Sequence, residues 1–356
     1  MPEILKNPLR GKGLSSEAGM AAGELSHDAE AARALFARCP VAHETPLKNS
    51  PELAQRCGVA RVSVKDERER MGLGSFKALG AAYAIAKLAA AKDGDKVDEN
   101  SLAGETIVCA SAGNHGLSLA AGARLFGARA IVFLADTVPE SFAERLRALG
   151  AEVERAGANY EASLEASIEA ADKNGWRLLA DGTWDGYYKP GRDVMEGYLI
   201  MGHEMVDQMD EVPTHLFLQA GVGGLAAGGA VAARDRWGDA VTIVIVEPTA
   251  APALIESVRH DKVMDTEGPV SNMGRLDCKT PSHLALKFLA KEADYFMTVD
   301  DDAVADAMTE LAAMGMATSP SGGAGLAAAM IADEAQKETL GISASSHLVG
   351  IVSEVE

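Results

Sequence analysis

Lys77 lies in the stretch Ser75-Phe76-Lys77-Ala78-Leu79-Gly80. Two segments further on, Ser111-Ala112-Gly113-Asn114-His115-Gly116 and Gly221-Val222-Gly223-Gly224-Leu225, place glycine and small residues where helices are due to start. A lysine amine becomes a nucleophile only when it gives up its proton, and partial burial beside the positive end of a helix dipole encourages that loss. Phe76, Leu79 and Met71 supply apolar surroundings for it. The second glycine segment offers unencumbered backbone N–H groups at a helix N-terminus, a combination that holds a phosphate dianion. A tight strand-to-helix turn or a nucleotide site would use the same glycines. No GxxxxGK[ST] is present, and the spacing does not match GxGxxG with a following acidic ribose contact, so phosphate without a nucleotide is the reading.

The segment from Ser111 to His115 opens its helix with hydroxyl, glycine and amide groups. Ser111, Ala112, Gly113 and His115 line a loop that presents N–H donors to a substrate carboxylate, and the Asn114 amide suits a phenolic ring oxygen. The bland alternative is an N-cap followed by a buried histidine, and for His115 that alternative is preferred, since its position points into the helix. An amine, a ring cradle and a phosphate cradle are together what a chain needs to hold pyridoxal phosphate (PLP) covalently, with Phe76 beside the amine.

These residues must be positioned by a scaffold. From Arg61 onward short β-branched runs alternate with alanine-rich amphipathic stretches, the signature of βα units around a parallel sheet and hence of an α/β fold. The pattern predicts strands at Val62 to Lys65, Thr106 to Ala110, Ala130 to Leu134, Glu152 to Arg155, His215 to Gln219, Thr242 to Val246, Tyr295 to Val299 and Leu348 to Val352. Helices are predicted at Phe76 to Ala91, His115 to Phe126, Ser141 to Leu149, Tyr160 to Asn174 and Leu225 to Arg236, with Lys92 to Gly104 a surface connection. Residues 1 to about 40 read as an arm with a short helix from Ala29 to Phe36, packed on the surface or on a second subunit. In open α/β sheets ligands bind at the carboxyl ends of strands, and all three motifs fall at such places.

A chain of 356 residues has room for two domains. Its net charge of −19 argues against nucleic acid or an anionic membrane as partner. Cys39, Cys57, Cys109 and Cys278 show no CxxC spacing, so neither a metal site nor a disulfide framework is indicated. With no signal-like leader and no apolar run long enough to span a bilayer, a soluble cytoplasmic protein is expected.

The run from Val64-Lys65-Asp66-Glu67 to Ser75-Phe76-Lys77, then Ser-Ala-Gly-Asn-His-Gly, Gly-Val-Gly-Gly-Leu and Ile245-Val246-Glu247-Pro248, resembles the fold-type II PLP enzymes, the family of serine/threonine dehydratases and tryptophan synthase β subunits. It spans roughly Thr45 to the C-terminus. Asn159-Tyr160, Trp184-Asp185-Gly186-Tyr187 and Leu218-Gln219-Ala220-Gly221-Val222-Gly223 resemble the diaminopropionate ammonia-lyase branch in particular. The resemblance implies the tryptophan synthase β-like fold: two open, twisted, mainly parallel sheets flanked by helices. It implies that Lys77 carries the cofactor and shuttles the Cα proton, that Asn114 holds the ring oxygen, and that Gly221, Val222, Gly223, Gly224 and Leu225 hold the phosphate. It further places Ser353 against the pyridine nitrogen, with Ser321 in the Pro320-Ser321-Gly322-Gly323 turn as second choice, and makes Asp181 an acid/base for an L-isomer. As a residue alone, Asp181 also reads as part of a surface Asp-Gly turn.

The sequence departs from the branch in two places. Ala112 stands where the branch carries an aspartate that serves the D-isomer, so D-activity is not expected. A segment between Asp300 and Ser321 is shorter than in the branch, which leaves Cys278 without an obvious disulfide partner. The expected activity is α,β-elimination of ammonia from a small L-amino acid such as L-2,3-diaminopropionate, giving a 2-oxo acid. Alternatives are a serine, threonine or 3-hydroxyaspartate dehydratase, a β-replacement synthase, and a non-catalytic PLP or amino-acid binder. A homodimer is implied, with a small domain at 74–187 inserted in a large one formed by 1–73 and 188–356.

Overall fold

The computed structural model describes residues 2–15, 25–26 and 29–356. Strands follow the β-branched runs: β1 Ile4–Lys6, β2 Leu47–Asn49, β3 Arg61–Asp66, β4 Thr106–Ala110, β5 Arg129–Leu134, β6 Glu152–Arg155, β7 Arg177–Leu178, β8 His215–Gln219, β9 Thr242–Pro248, β10 Tyr295–Val299 and β11 His347–Val352. Between them run α1 Glu30–Phe36, α2 Pro51–Cys57, α3 Lys77–Asp93, α4 Asn114–Leu125, α5 Glu140–Ala148, α6 Tyr160–Asn174, α7 Lys189–Asp207, α8 Gly224–Trp237, α9 Ala253–His260, α10 His283–Glu292, α11 Asp301–Ala313, α12 Pro320–Ile331 and α13 Glu334–Leu340.

Among the described residues the strands make two sheets, one of seven strands in the order β1-β10-β9-β8-β11-β3-β2 and one of four in the order β6-β5-β4-β7. Neighbours are parallel except for the edge strands β1 and β2. Helices cover both faces of the larger sheet, so β8 and β11 are buried at every position and read as near-continuous apolar runs. Each sheet reverses direction once, between β8 and β11 in the larger and between β4 and β7 in the smaller. A crevice opens outside the carboxyl ends of strands at such a switch point. The loops after β8, β11, β4 and β7 carry Gly221, Ser353, Ser111 and Asp181 respectively, so strand order alone gathers the candidate residues.

Every strand read from the sequence forms, within two residues of its expected ends. Three reassignments follow. Ile4–Lys6 is not part of an arm but pairs antiparallel with β10, while residues 16–24 and 27–28 of that arm lie outside the described residues. Lys92 and Asp93 still belong to α3, and Ser101 and Leu102 within the expected surface connection are buried. Pro320 to Gly323 is not a free turn but the first turn of α12, with Ser319 accepting from the Gly322 N–H.

A fully buried charge cluster ties β3 to α7. Arg70 donates to Glu67 (2.8 Å) and to Glu204 (2.9 Å), Lys65 donates to Glu204 (2.9 Å) and to the Thr45 carbonyl (2.6 Å), and Thr45 Oγ1 accepts from Arg70 at 2.9 Å. Two cations face two carboxylates. Burial pulls Lys65 below the ordinary lysine range despite Glu204, and Arg70 and Lys65 together hold Glu204 below the usual carboxylate range against the pull of its own burial. The turn that leads from this cluster to Lys77 is tight, with Met71 at φ 51°, Gly72 at 69° and Gly74 at 78°. Replacing Glu204 by Gln leaves both cations with one carboxylate, and breaking a buried pair in this way costs about 3–5 kcal/mol. A chemical-denaturation curve of E204Q is expected to show that loss; a variant as stable as wild type would show the cluster to be dispensable.

Candidate active site

Lys77 is the first residue of α3, and its N–H donates to Ser75 Oγ at 3.2 Å. Its amine is ion-paired with Asp181, which sits just beyond β7. Both side chains are about four-fifths covered, at 21% and 20% exposure. Burial disfavours the charged forms, but the opposite charge prevails: the amine is held above the ordinary lysine range and the carboxyl below the usual carboxylate range. This corrects one expectation, since the surroundings of Lys77 retain its proton rather than loosen it. Asp181 is accordingly not part of a surface turn.

The Asp181 loop is fixed from both sides. The Tyr187 hydroxyl accepts from the Ala180 N–H (2.9 Å) and donates to the Leu178 carbonyl (3.1 Å), and the Tyr187 ring stacks on Trp184 with centroids 4.2 Å apart. On the other side, Thr183 and Ser282 share a hydroxyl–hydroxyl bond of 2.9 Å, Ser282 Oγ accepts from the Thr183 N–H, and the Ser282 N–H donates to the Val222 carbonyl at 3.0 Å. One clasp therefore joins the acid loop to the glycine loop. Nothing in the residue types alone announces Tyr187 or Ser282 as site residues, because their work is done through backbone partners distant in sequence.

Gly221 to Leu225 runs from the end of β8 into α8, with Gly223 as the N-cap at φ 101°, a region that favours glycine. A Cβ on Gly223 would meet the Ala285 Cβ at 2.9 Å, and one on Gly221 would lie 3.0 Å from both the Arg275 carbonyl oxygen and Cys278 Sγ. The loop is thus a cradle that side chains would fill. Cys278 lies against it, and burial pushes its thiol up to about 12, so it is no nucleophile near neutral pH.

After β4, the Ser111 hydroxyl accepts from the N–H groups of Gly113 (3.3 Å) and Gly116 (3.1 Å), so part of the donor set expected to face a ligand is already engaged. Ala112 is exposed and carries no carboxylate. His115 is buried, as preferred from its position: Nε2 donates to the Leu179 carbonyl at 2.7 Å, and burial holds the ring below the ordinary histidine range, hence neutral. Asn114 Nδ2 donates to Glu354 Oε2 at 2.6 Å. Glu354 also accepts from Arg275 and from the Ser319 hydroxyl, and it is buried. No motif marked Glu354, although its place at the carboxyl end of β11 was a usable signal. Its neighbour Ser353 is buried between the Phe76 N–H, which donates to the Ser353 carbonyl, and the Gly322 carbonyl. Ser321 Oγ instead accepts from the Arg275 N–H at 3.1 Å. Phe76 is buried, with the Lys77 amine 5.5 Å from its ring centre.

A lysine at a helix start, an amide and a glycine cradle at the N-terminus of a long helix, all around one crevice, fit an aldehyde cofactor with a phosphate tail. The family model of pyridoxal-phosphate dependent enzymes matches residues 40–353, and the chain belongs to that family. Its cofactor is pyridoxal 5'-phosphate, and its architecture is the type II fold that the resemblance implied. Within the family, the chain is 32% identical over 280 residues to the diaminopropionate ammonia-lyase of Escherichia coli (strain K12), covering 75% of this chain and 70% of that one. It is 28% identical over 270 residues to the L-threonine ammonia-lyase of Thermotoga maritima, covering 75% and 62%. The crystal structure of the Escherichia coli diaminopropionate ammonia-lyase with an aminoacrylate-PLP azomethine reaction intermediate matches with a TM-score of 0.87 at 27% identity, over 100% of this chain and 94% of that one. Among the described residues no helix is long and apolar enough to cross a membrane.

Gly223→Ala forces a side chain into the positive-φ region and against Ala285, a strain of about 1–3 kcal/mol. Fluorescence titration of this variant with PLP is expected to show at least about tenfold weaker retention, or ~1.4 kcal/mol. Unchanged affinity would show that the glycine loop does not grip the cofactor.

Proposed function

We propose that this chain is a PLP-dependent ammonia-lyase that expels the β-amino group of a small L-amino acid, with L-2,3-diaminopropionate as the first substrate to assay. The observation that carries the reading is the Lys77–Asp181 pair, which sets a base and an acid against each other at the mouth of the glycine cradle. Bound pyridoxal phosphate supplies an electron sink, so that a Cα proton can be removed and a β substituent can depart.

The chain's own residues do the rest. Lys77 would hold the cofactor through its side-chain nitrogen and, with that nitrogen free, would take the Cα proton. Asn114 bonds the ring oxygen, and Glu354 fixes its orientation by accepting from the amide nitrogen. The N–H groups from Gly221 to Leu225 hold the phosphate, with Phe76 packed beside the lysine. Ser353 faces the pyridine nitrogen with a hydroxyl rather than a carboxylate, a partner that does not force the full positive charge favouring a long-lived carbanion. Ser111, Ala112, Gly113 and His115 form the loop for the substrate carboxylate, with the His115 side chain acting through its bond to Leu179. Asp181, as a carboxylate, would orient the substrate's β-ammonium, which leaves as neutral ammonia, and would relay a proton as acid/base. With Ala112 carrying no acid, only the L-isomer is served.

The reading includes a cytoplasmic homodimer and a small domain at 74–187 inserted between 1–73 and 188–356, whose closure excludes water during elimination. The four-stranded sheet, which falls wholly within 74–187, supports that division. Similarity to an L-threonine ammonia-lyase keeps hydroxyl elimination as the rival.

A panel of L-amino acids assayed for 2-oxo acid release, with borohydride reduction and peptide mapping, tests the whole. Expected are release from L-2,3-diaminopropionate and a reduced adduct on Lys77. Lys77→Ala should abolish the adduct, and Asp181→Asn should keep it while turnover falls by about 10²–10⁴. Strong release from threonine with none from diaminopropionate would reject the choice of leaving group, and absence of any adduct would reject the cofactor role of Lys77.

A further inference from the structure

Tyr198, on α7, is 1% exposed, and its hydroxyl makes no hydrogen bond of full geometry among the described residues, although it lies near enough to the Lys77 amine to interact with it. An unpaired buried hydroxyl costs ~1–3 kcal/mol, which a phenylalanine would avoid. Yet the surroundings make room for this side chain. A Cβ on Gly80 would lie 2.6 Å from its Cε1 and 2.8 Å from its hydroxyl oxygen, and one on Gly224 would lie 3.2 Å from its Cε2. Gly80 is one turn beyond Lys77 on α3, and Gly224 opens the phosphate helix. The Phe76 ring closes a further side at 5.0 Å between centroids. Burial pushes the hydroxyl up to about 12, and Lys77 and Asp181 are the charges that act on it, so it keeps its proton near neutral pH and can both donate and accept.

The geometry points to Tyr198 as a positioning residue for Lys77: its hydroxyl hydrogen-bonds the lysine nitrogen once that nitrogen leaves Asp181, and so aims the lone pair. The inference rests on the reading of Lys77 as the cofactor-bearing amine. A lysine released from its carboxylate has long-chain rotamer freedom and no fixed direction unless a second group holds it, and misdirection by an ångström is costly in rate. The other groups facing Lys77 cannot take that part. Asp181 is the partner being left, Cys278 is a buried thiol against the glycine loop, His115 is turned to the Leu179 carbonyl, and Phe76 offers only its ring.

Tyr198→Phe removes one oxygen. The full chain, stripped of cofactor with hydroxylamine, is mixed with PLP or with pyridoxal, which lacks the phosphate. Capture forms a bond from the lysine nitrogen to the aldehyde carbon, the aldehyde oxygen leaves as water, and visible absorbance follows the imine. Capture is expected to be about tenfold slower in Y198F with both aldehydes, while the melting temperature of the stripped protein stays equal to or above that of wild type. Slowing with PLP alone would assign the hydroxyl to the phosphate and overturn the inference. An unchanged rate, or a melting temperature several degrees lower, would overturn it too. A wild-type chain that captures neither aldehyde removes the cofactor reading itself, and this inference with it.

Discussion

The Lys77 amine is held in its protonated form chiefly by the carboxylate of Asp181, against the pull of its own burial. The ion pair between Lys77 and Asp181 joins the start of α3, next to the larger sheet, to the loop after the last strand of the smaller one. Everything else in the crevice is arranged around that pair. The opposing carboxylate holds the amine above the ordinary lysine range. On the proposed reading, a bond to the nitrogen would be made at the expense of this contact with Asp181.

Such an arrangement works only if the two partners come from independently braced elements. On the lysine side, the buried cluster of Lys65, Glu67, Arg70 and Glu204 anchors the tight turn that precedes Ser75. On the aspartate side, Tyr187 pins the backbone on one flank, and the Thr183–Ser282 clasp pins the other and reaches Val222 of the phosphate loop. The acid loop and the glycine loop are thereby linked through one pair of hydroxyls.

Glu354 plays a comparable part on the opposite wall. An asparagine amide can present either end to a ligand, and a carboxylate that accepts from Nδ2 removes that ambiguity. Because the same carboxylate accepts from Arg275 and Ser319, the loop at 275–278, the N-cap of α12 and the start of α4 share one buried acceptor. Their hydrogen bonds to one another hold the Asn114 amide in one orientation.

The sequence determined the longer strands of the two sheets, the helices that begin at Lys77, near Asn114 and near Gly224, and the chemistry of the three motifs. Those features depend on local periodicity, glycine placement and side-chain type, and each is written in a short window. The short edge strands at Ile4–Lys6, Leu47–Asn49 and Arg177–Leu178 were not legible, because two or three residues carry no alternation, and two of the three pair with strands far along the chain. Nor was the proton held on Lys77, since that depends on Asp181 arriving from a different sheet 104 residues away. Tertiary structure alone decided which candidates meet, and turned the His115 side chain to Leu179. It also enlisted Glu354, Tyr187 and Ser282, whose roles exist only through backbone and charge contacts made when the two switch points face one another.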